Sequence, residues 1–460
     1  MSRRVGLAFA CALAFVFAPR AAEADTEDGF YYSDDASLVA GAVTAWARDS
    51  GAIWYNPAGL GGAVRPQLTL NGTVYALKMR TINDALRSTF PGAGVRSIDI
   101  SSTDLMSAPH ATAFVRALSD DVSIGIGIYI SERDVRTAQD TLAFFQAAGP
   151  GLAFDANMRQ HLDVALERTK YEVGPAIGFK LAPGLRLGAS AFLTYAKTTG
   201  LAMFELDIKS TTGTPPPTVF LLGSEHSTTG ELGAVGMVGV QWEPAPSWSV
   251  GATIRGPSMR FSTSIDGTNI NAQGAVVPGT PSAATIELTK ATTGTGSGIV
   301  VPPRAVVGVG HAFDDRVHAS IEGDFSPGME SATTGMKTRN IVNVRGGVKA
   351  MLGEKFATGI GAFSDRDRNV LGDGFTDERI DRYGVTLGLQ LLTPFELAGE
   401  NGQPKKNTLV LATTVSMRYA VGFGEVRALD IDFVNGGTRD RIVSVTYHEI
   451  TPYIGSAVSF

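Results

Sequence analysis

The sequence predicts an all-β fold, a transmembrane antiparallel β-barrel of about fourteen strands. Three observations predict it. Segments of strict apolar–polar alternation recur along the chain, and the connections between them are short and long by turns. After residue 24 no apolar run approaches the ~20 residues that a spanning helix needs. Glycine accounts for 54 of 460 residues and charged residues for 18%, against roughly 7% and 25% in ordinary soluble proteins. A lipid-facing chain without spanning helices must close its strands into a barrel, since hydrocarbon offers the backbone no other partners.

The amino terminus, Met1 to Ala24, reads as a signal peptide. Arg3 and Arg4 supply the positive start, Val5 to Ala18 the apolar stretch, and Ala22-Glu23-Ala24 the cleavage site. Cys11, the one cysteine, lies inside it, so the mature chain is expected to hold no thiol, disulfide or cysteine metal site. Removing Arg3, Arg4, Arg20 and Glu23 from 39 basic and 45 acidic residues leaves a net charge of −8, which does not favour nucleic acid as a partner.

Alternation then places the strands. Val122, Ile124, Ile126, Ile128 and Ile130 alternate with Ser123, Gly125, Gly127, Tyr129 and Ser131. The same period runs through 185–195, 248–255 and 317–325. Expected strands are 67–78, 107–118, 121–132, 169–181, 185–197, 231–243, 247–260, 303–314, 317–327, 340–352, 355–364, 382–393, 408–421 and 442–460. Tight turns are expected at 119–121, 182–184, 243–247, 314–316 and 353–354. Long polar connections are expected at 79–106, 133–168, 198–231, 261–303 and 364–381. Short turns at one rim and long loops at the other describe an outer-membrane barrel with its short turns periplasmic. Trp242 and Trp248 bracket the turn 243–247, where an interfacial aromatic girdle belongs. Pro452 is expected to mark a bulge in the last strand, and an alternating segment closes on Phe460.

Before the first strand, Gly41 to Leu60 leads into Trp54-Tyr55-Asn56-Pro57-Ala58-Gly59-Leu60. This segment resembles the amino-terminal plug of the FadL family, outer-membrane transporters of long-chain fatty acids and other hydrophobic compounds. Asn56, Pro57 and Ala58 stand at the family's Asn-Pro-Ala motif. The hairpins around Val301-Pro302-Pro303-Arg304 and Gly239 to Arg260 are similar to the family as well, and the ending on Phe460 resembles the outer-membrane assembly signal. The resemblance implies a signal peptide at 1–24, a plug or hatch at 25–65 and a barrel at 66–460. It further implies passive uptake past the plug and a lateral exit at an inward kink in the third strand. The partners so implied are a hydrophobic small molecule such as a long-chain fatty acid, and outer-membrane lipid and lipopolysaccharide.

Residues can be set against those roles. Asn56 offers donor and acceptor groups, and Pro57 fixes its predecessor as extended, so the pair sets a bend. Gly125 and Gly127 are the candidates for the lateral opening, because glycine permits a kink. Leu142, Phe144, Phe145 and Phe154, within 138–158, are too apolar for an ordinary exposed loop. They read either as a ligand groove or as a loop helix capping the barrel.

Catalytic signatures such as G-x-S-x-G, H-E-x-x-H and G-x-x-x-x-G-K-[ST] are missing, and no cofactor or metal is expected. Gly294 to Gly298 reads as a flexible loop, and His311 and His318 as rim residues. Asp365, Asp367 and Asn369 begin like a calcium loop, but Val370 and Thr376 stand where Gly and Glu are required. A barrel of the same fold with a structural or adhesive role is the alternative function.

Overall fold

The computed structural model describes residues 29–62, 65–90, 94–146, 155–211, 218–276, 283–294, 296–372, 377–398, 404–432 and 437–460. The expected signal peptide lies outside them. Two short helices, α1 (Asp34–Leu38) and α2 (Ala52–Tyr55), and a 3-10 turn at Pro57–Gly62 precede the strands. Ser33 caps α1, its hydroxyl accepting from the Ala36 amide at 3.2 Å.

The strands follow in order: β1 (Gln67–Phe90), β2 (Gly94–Ala117), β3 (Val122–Gln146), β4 (Ala156–Ala182), β5 (Leu185–Ser210), β6 (Thr218–Ala245), β7 (Trp248–Arg255), β8 (Ser258–Val276), β9 (Ala283–Gly294) and β10 (Gly298–Val301). They continue with β11 (Arg304–Ala312), β12 (Val317–Ser326), β13 (Glu330–Ser331), β14 (Met336–Lys337), β15 (Ile341–Met351), β16 (Phe356–Asp365), β17 (Glu378–Ala398), β18 (Pro404–Asp432) and β19 (Gly437–Ser459). Antiparallel ladders link the wall all the way round, and β19 returns to β1 from Gln67↔Ser459 to Ile82↔Val445. The Phe460 amide completes the seam by donating to the Pro66 carbonyl at 3.0 Å.

Fifteen strand segments make the closed barrel wall where fourteen strands were expected. The expected strand 247–260 is two segments, one above the other against β6, because the chain breaks at Gly256-Pro257. Proline has no amide hydrogen to offer a ladder. Below the break β7 pairs with β6 and β11, and above it β8 pairs with β6 on its own register.

A second correction concerns the expected long connections, much of which is strand. Residues 79–90 and 94–106 belong to β1 and β2, and β3 to β6 run 25 to 28 residues, far beyond the ~9–11 that a spanning strand needs. Similarly, β17 and β18 extend into the gap between the expected strands 382–393 and 408–421. The physical reason is an inversion of phase. In the upper wall Ile82, Leu86, Ile98, Ile100, Met158, Leu162, Phe204 and Leu206 turn inward into one apolar cluster, so the outward face there is polar and resembles a loop.

Lower down the outward phase is apolar and open to lipid: Ile126 and Ile128 in β3, Leu193 in β5, Val385, Leu387 and Leu389 in β17, Val415 and Met417 in β18. No helix among the described residues is long and apolar enough to cross a membrane. Trp242 and Trp248 are exposed beside the β6–β7 turn.

Candidate functional site

Residues 29–62 lie against the inward face of the lower wall, and glycines make the space. Gly178, Gly188 and Gly239 are consecutive partners across β4, β5 and β6. A Cβ on Gly188 would stand 2.2 Å from the Pro57 carbonyl carbon, and one on Gly239 2.0 Å from Asn56 Oδ1. Gly251 meets the Thr44 backbone in the same way, Gly347 meets Val39, and Gly359 meets Leu38. Alternation in the sequence puts Gly188 and Gly251 in the polar phase of their strands. Nothing local signals that the six form a bare floor, since only register across strands shows it.

Asn56 is fully buried. Its Nδ2 donates to the carbonyls of Thr44 at 2.8 Å and Val240 at 3.0 Å, and its Oδ1 accepts from the Ala58 amide at 3.1 Å. One side chain therefore binds the segment to itself and to β6. Gln241, next in β6, also donates to Thr44 and Ala47 carbonyls. Farther round, Glu322 of β12 accepts from the Thr44 amide at 3.0 Å, and Ser320 donates to the Ala42 carbonyl at 2.6 Å.

The segment also holds a group of carboxylates. Asp34 is buried and accepts from the Tyr453 hydroxyl at 3.1 Å. Burial, with Asp35 adding to it, pushes its carboxyl up to about 7. Asp49 is pushed up to about 7 by the same causes, desolvation first and then Asp35 and Asp34. Asp35 forms an ion pair with Lys349.

At the upper side of the segment its own Tyr32 and Trp54 pack with Tyr129 of β3 and Phe192 of β5 into a buried cluster of four aromatic rings, an aromatic cage. Tyr32 and Trp54 lie 4.4 Å apart, Tyr32 and Tyr129 5.3 Å, Trp54 and Tyr129 5.0 Å, and Tyr129 and Phe192 5.8 Å. The Arg255 guanidinium stands 4.5 Å over Trp54 while paired with Glu172. Next comes a belt of paired charges: Arg168 with Glu132 and Glu231, Lys78 with Asp134, Arg80 with Glu378, Arg418 with Glu449. The apolar cluster of the upper wall closes the sequence of layers.

The cage stands beside an interruption in the wall. β2 and β3 pair only from Ala117↔Ser123 to Ala111↔Tyr129, although both strands continue upward. Higher up, Thr137 Oγ1 donates to Asp104 at 2.6 Å and rejoins the two strands. Between these limits is a window. Two β3 carbonyls at its edge accept from other donors: Ile130 from the Tyr32 hydroxyl at 3.2 Å, and Arg133 from Lys78 Nζ at 3.4 Å. At Ile130–Glu132 the β3–β4 register also shifts by a bulge.

Gly125 and Gly127 lie just below this window and are paired on both sides, with Val115 and Ala113 of β2 and with Ala176 and Gly174 of β4. A Cβ on Gly127 would meet the Tyr129 ring at 2.4 Å, and one on Gly125 would meet Ile53 at 2.7 Å. Their bareness gives room to the cage and to the segment.

Residues 138–146 are β strand, so a capping helix is excluded there. Leu142 and Phe144 pack on the upper apolar cluster, Phe145 is exposed, and Phe154 lies outside the described residues. Arg96 stands 5.6 Å over the Phe144 ring. In the calcium-like segment, Asp365 lies 3.9 Å from Arg382, and Asp367 accepts from the amides of Asn369 and Ile380. His318 packs under Trp46 and His311 against Trp248, both at 4.3 Å.

No protein-family model and no curated protein matches the chain. Solved structures do. A Pseudomonas aeruginosa FadL homologue matches over 95% of this chain and 98% of its own, at 12% identity and a TM-score of 0.53. The Ralstonia pickettii toluene transporter TbuX matches over 93% and 98%, at 14% identity and a TM-score of 0.48. The monoaromatic hydrocarbon channel CymD matches over 93% and 97%, at 12% identity and 0.49. With its closed wall, lipid-facing belt and the coverage of the first of these matches, the chain has the FadL-type fold of an outer-membrane β-barrel.

Proposed function

We propose that this barrel takes up hydrophobic molecules, long-chain fatty acids or compounds like them, by passive diffusion across the outer membrane. Residues 25–65 act as the plug that closes the lumen, and the β2–β3 window is the lateral exit. The upper apolar cluster, with Leu142, Phe144 and Phe145 at its margin, receives the molecule. Past the belt of paired charges the aromatic rings take it and hand it to lipid, with Gly125 and Gly127 forming the sill.

The observation that carries this reading is the coincidence of the window with the cage. Where β2 and β3 stop pairing, the interior presents four aromatic rings. From the rings, passage straight down would cross the packed segment. A greasy molecule gains nothing there, whereas the lipid beyond the window returns the apolar contact it leaves.

The test is a reversible bar across the window. Continuing the β2–β3 register upward sets position 109 opposite 131, so Pro109→Cys/Ser131→Cys places a thiol on each side. Cells expressing the oxidised double variant should take up labelled oleate at least tenfold more slowly than wild type, and reduction should restore the rate. Undiminished uptake with the disulfide formed would remove the window from the path. Wild-type uptake equal to that of barrel-free cells would favour the structural or adhesive alternative.

A further inference from the structure

The lipid-facing surface has a trough that the transport path does not use. Most outward positions of the lower wall carry Ile, Leu, Val or Phe, but on β4, β5 and β6 they shrink to Pro175, Ala189, Ala191, Ala234 and Gly236. Large side chains border this patch, Phe114 and Ile124 at one end and Met259 and Phe261 at the other. Two adjoining hollows result, of about 700 and 660 Å³, sharing Ile126, Pro175 and Ala191. Each falls in the range of about 300–1,000 Å³ typical of small-molecule sites.

Backbone geometry builds the trough. The β4–β5 register passes from Val173↔Leu193 to Ala176↔Ser190 without pairing the residues between. There Gly174 approaches β5 so closely that a Cβ would stand 1.8 Å from the Ala191 carbonyl oxygen.

A cation marks one end. Arg116 lines the hollow in the outward phase of β2 and is exposed, with no hydrogen bond or ion pair to the described residues. It is the penultimate residue of β2, beside the tight turn to β3, which sets it at the periplasmic headgroup level. An unpaired cation at headgroup depth, leading into an apolar trough, is complementary to an anionic head on an alkyl chain.

We propose that this trough is a site for an anionic phospholipid of the periplasmic leaflet, its phosphate on Arg116 and one acyl chain along Pro175 and Ala191. The proposal rests on the membrane-barrel fold and not on the transport reading. Purified full-length barrel in detergent would be titrated with phosphatidylglycerol, and separately with phosphatidylcholine of the same chains, and retention read by native mass spectrometry. Wild type should retain phosphatidylglycerol at least tenfold better than phosphatidylcholine. Arg116→Gln should erase that preference. Ala191→Phe, which fills the trough, should lower retention of both lipids at least tenfold while its unboiled gel migration shows the barrel intact. Equal retention of the two lipids by wild type, or phosphatidylglycerol retention indifferent to both variants, overturns the site. A third arm uses oleate: if it displaces phosphatidylglycerol and depends equally on Arg116, the occupant is a free acid and the resident-lipid assignment fails.

Discussion

Along its β4 edge, β3 keeps its ladder from Val122 to Gln146 with a single bulge, whereas along its β2 edge the ladder runs only from Ser123 to Tyr129. The inner segment is anchored differently behind these two regions. Behind the continuous wall of β4 to β6, backbone meets backbone over Gly178, Gly188 and Gly239, and Asn56 is locked from three directions. Behind the window the contacts are side-chain rings and one hydroxyl, that of Tyr32. Close-packed backbone has no soft coordinate along which to yield, while rings can change rotamer at modest cost. The difference assigns stiffness to one side and adjustability to the other. On the proposed transport reading, motion that opens a path past the segment is expected at Tyr32 and the cage, with the Asn56 side as its hinge.

The most disruptive way to test that division is to fill the glycine floor. Gly188→Leu puts a branched side chain where even a Cβ stands 2.2 Å from Pro57 backbone, and overpacking that cannot relax costs about 1–3 kcal/mol or more. The segment should be displaced while the wall stays closed. Limited proteolysis should then cut within 29–62, and unboiled protein should still migrate as a folded barrel. Resistance to protease equal to wild type would show that the floor is not what seats the segment.

Asn56→Ala is the next test, on the same side. It removes three hydrogen bonds without adding bulk, an expected loss of about 1–3 kcal/mol in docking because buried carbonyls lose a donor. Cleavage of the segment should rise severalfold, less than in Gly188→Leu, and uptake should change with it. Unchanged cleavage would leave Asn56 as a packing residue only.

How far this was legible in the sequence follows from where each signal resides. Alternation at 122–131, 185–195 and 248–255 is a local signal enforced by lipid on one face, and those segments are strand. The upper strands were hidden because their apolar face turns inward, so that Arg159, Asp163 and Glu167 of β4, and Asp207 beside Phe204 and Leu206 of β5, read as loop. The break at Gly256-Pro257 was written in the sequence. Apolar phase on both sides of it nevertheless favoured one strand, and only the two registers against β6 separate them. Asn56 stood out by its motif, but its partners Thr44 and Val240 are 12 and 184 residues away. The belt of charges was wholly illegible, since a pair such as Arg80–Glu378 joins residues 298 apart. The window is a missing ladder, and absence of pairing leaves no mark on composition.

A milder perturbation acts on the carboxylates. Asp34 has its ordinary value of 3.8 in a detached, solvated segment and about 7 when docked, burial being the main cause and Asp35 the next. Docked segment thus holds a proton that detached segment has released between about pH 4 and pH 7, so docking weakens as pH rises through that range and levels off above it. Lys349 and Tyr453 face Asp34 and act against the shift, and Asp49 shares its direction. Protease cleavage of the segment should increase by on the order of tenfold per pH unit between pH 5 and pH 7 through Asp34 alone, and little further by pH 8. Asp34→Asn keeps an acceptor for Tyr453, so it should flatten most of that slope, leaving the part due to Asp49. A slope of the opposite sign would mean that ionised carboxylates stabilise the docked state.

The smallest expected effect lies on the window side and sharpens the comparison most. Tyr32→Phe keeps the ring in the cage, 4.4 Å from Trp54 and 5.3 Å from Tyr129 in the wild type, and deletes only the hydroxyl that donates to the Ile130 carbonyl. One such bond is worth roughly 0.5–1.5 kcal/mol, too little to release a segment held by the glycine floor. If the window side is the adjustable one, that loss should appear locally. Hydrogen exchange at the β3 amides 130–136 should accelerate several-fold, while the amides of 178, 188 and 239 stay as protected as in wild type. Oleate uptake should rise or fall with that exchange, because the hydroxyl ties the segment to the strand that borders the exit. Equal acceleration on both sides of the segment would mean that it moves as one rigid body, and the assignment of hinge and gate to opposite sides would have to be given up.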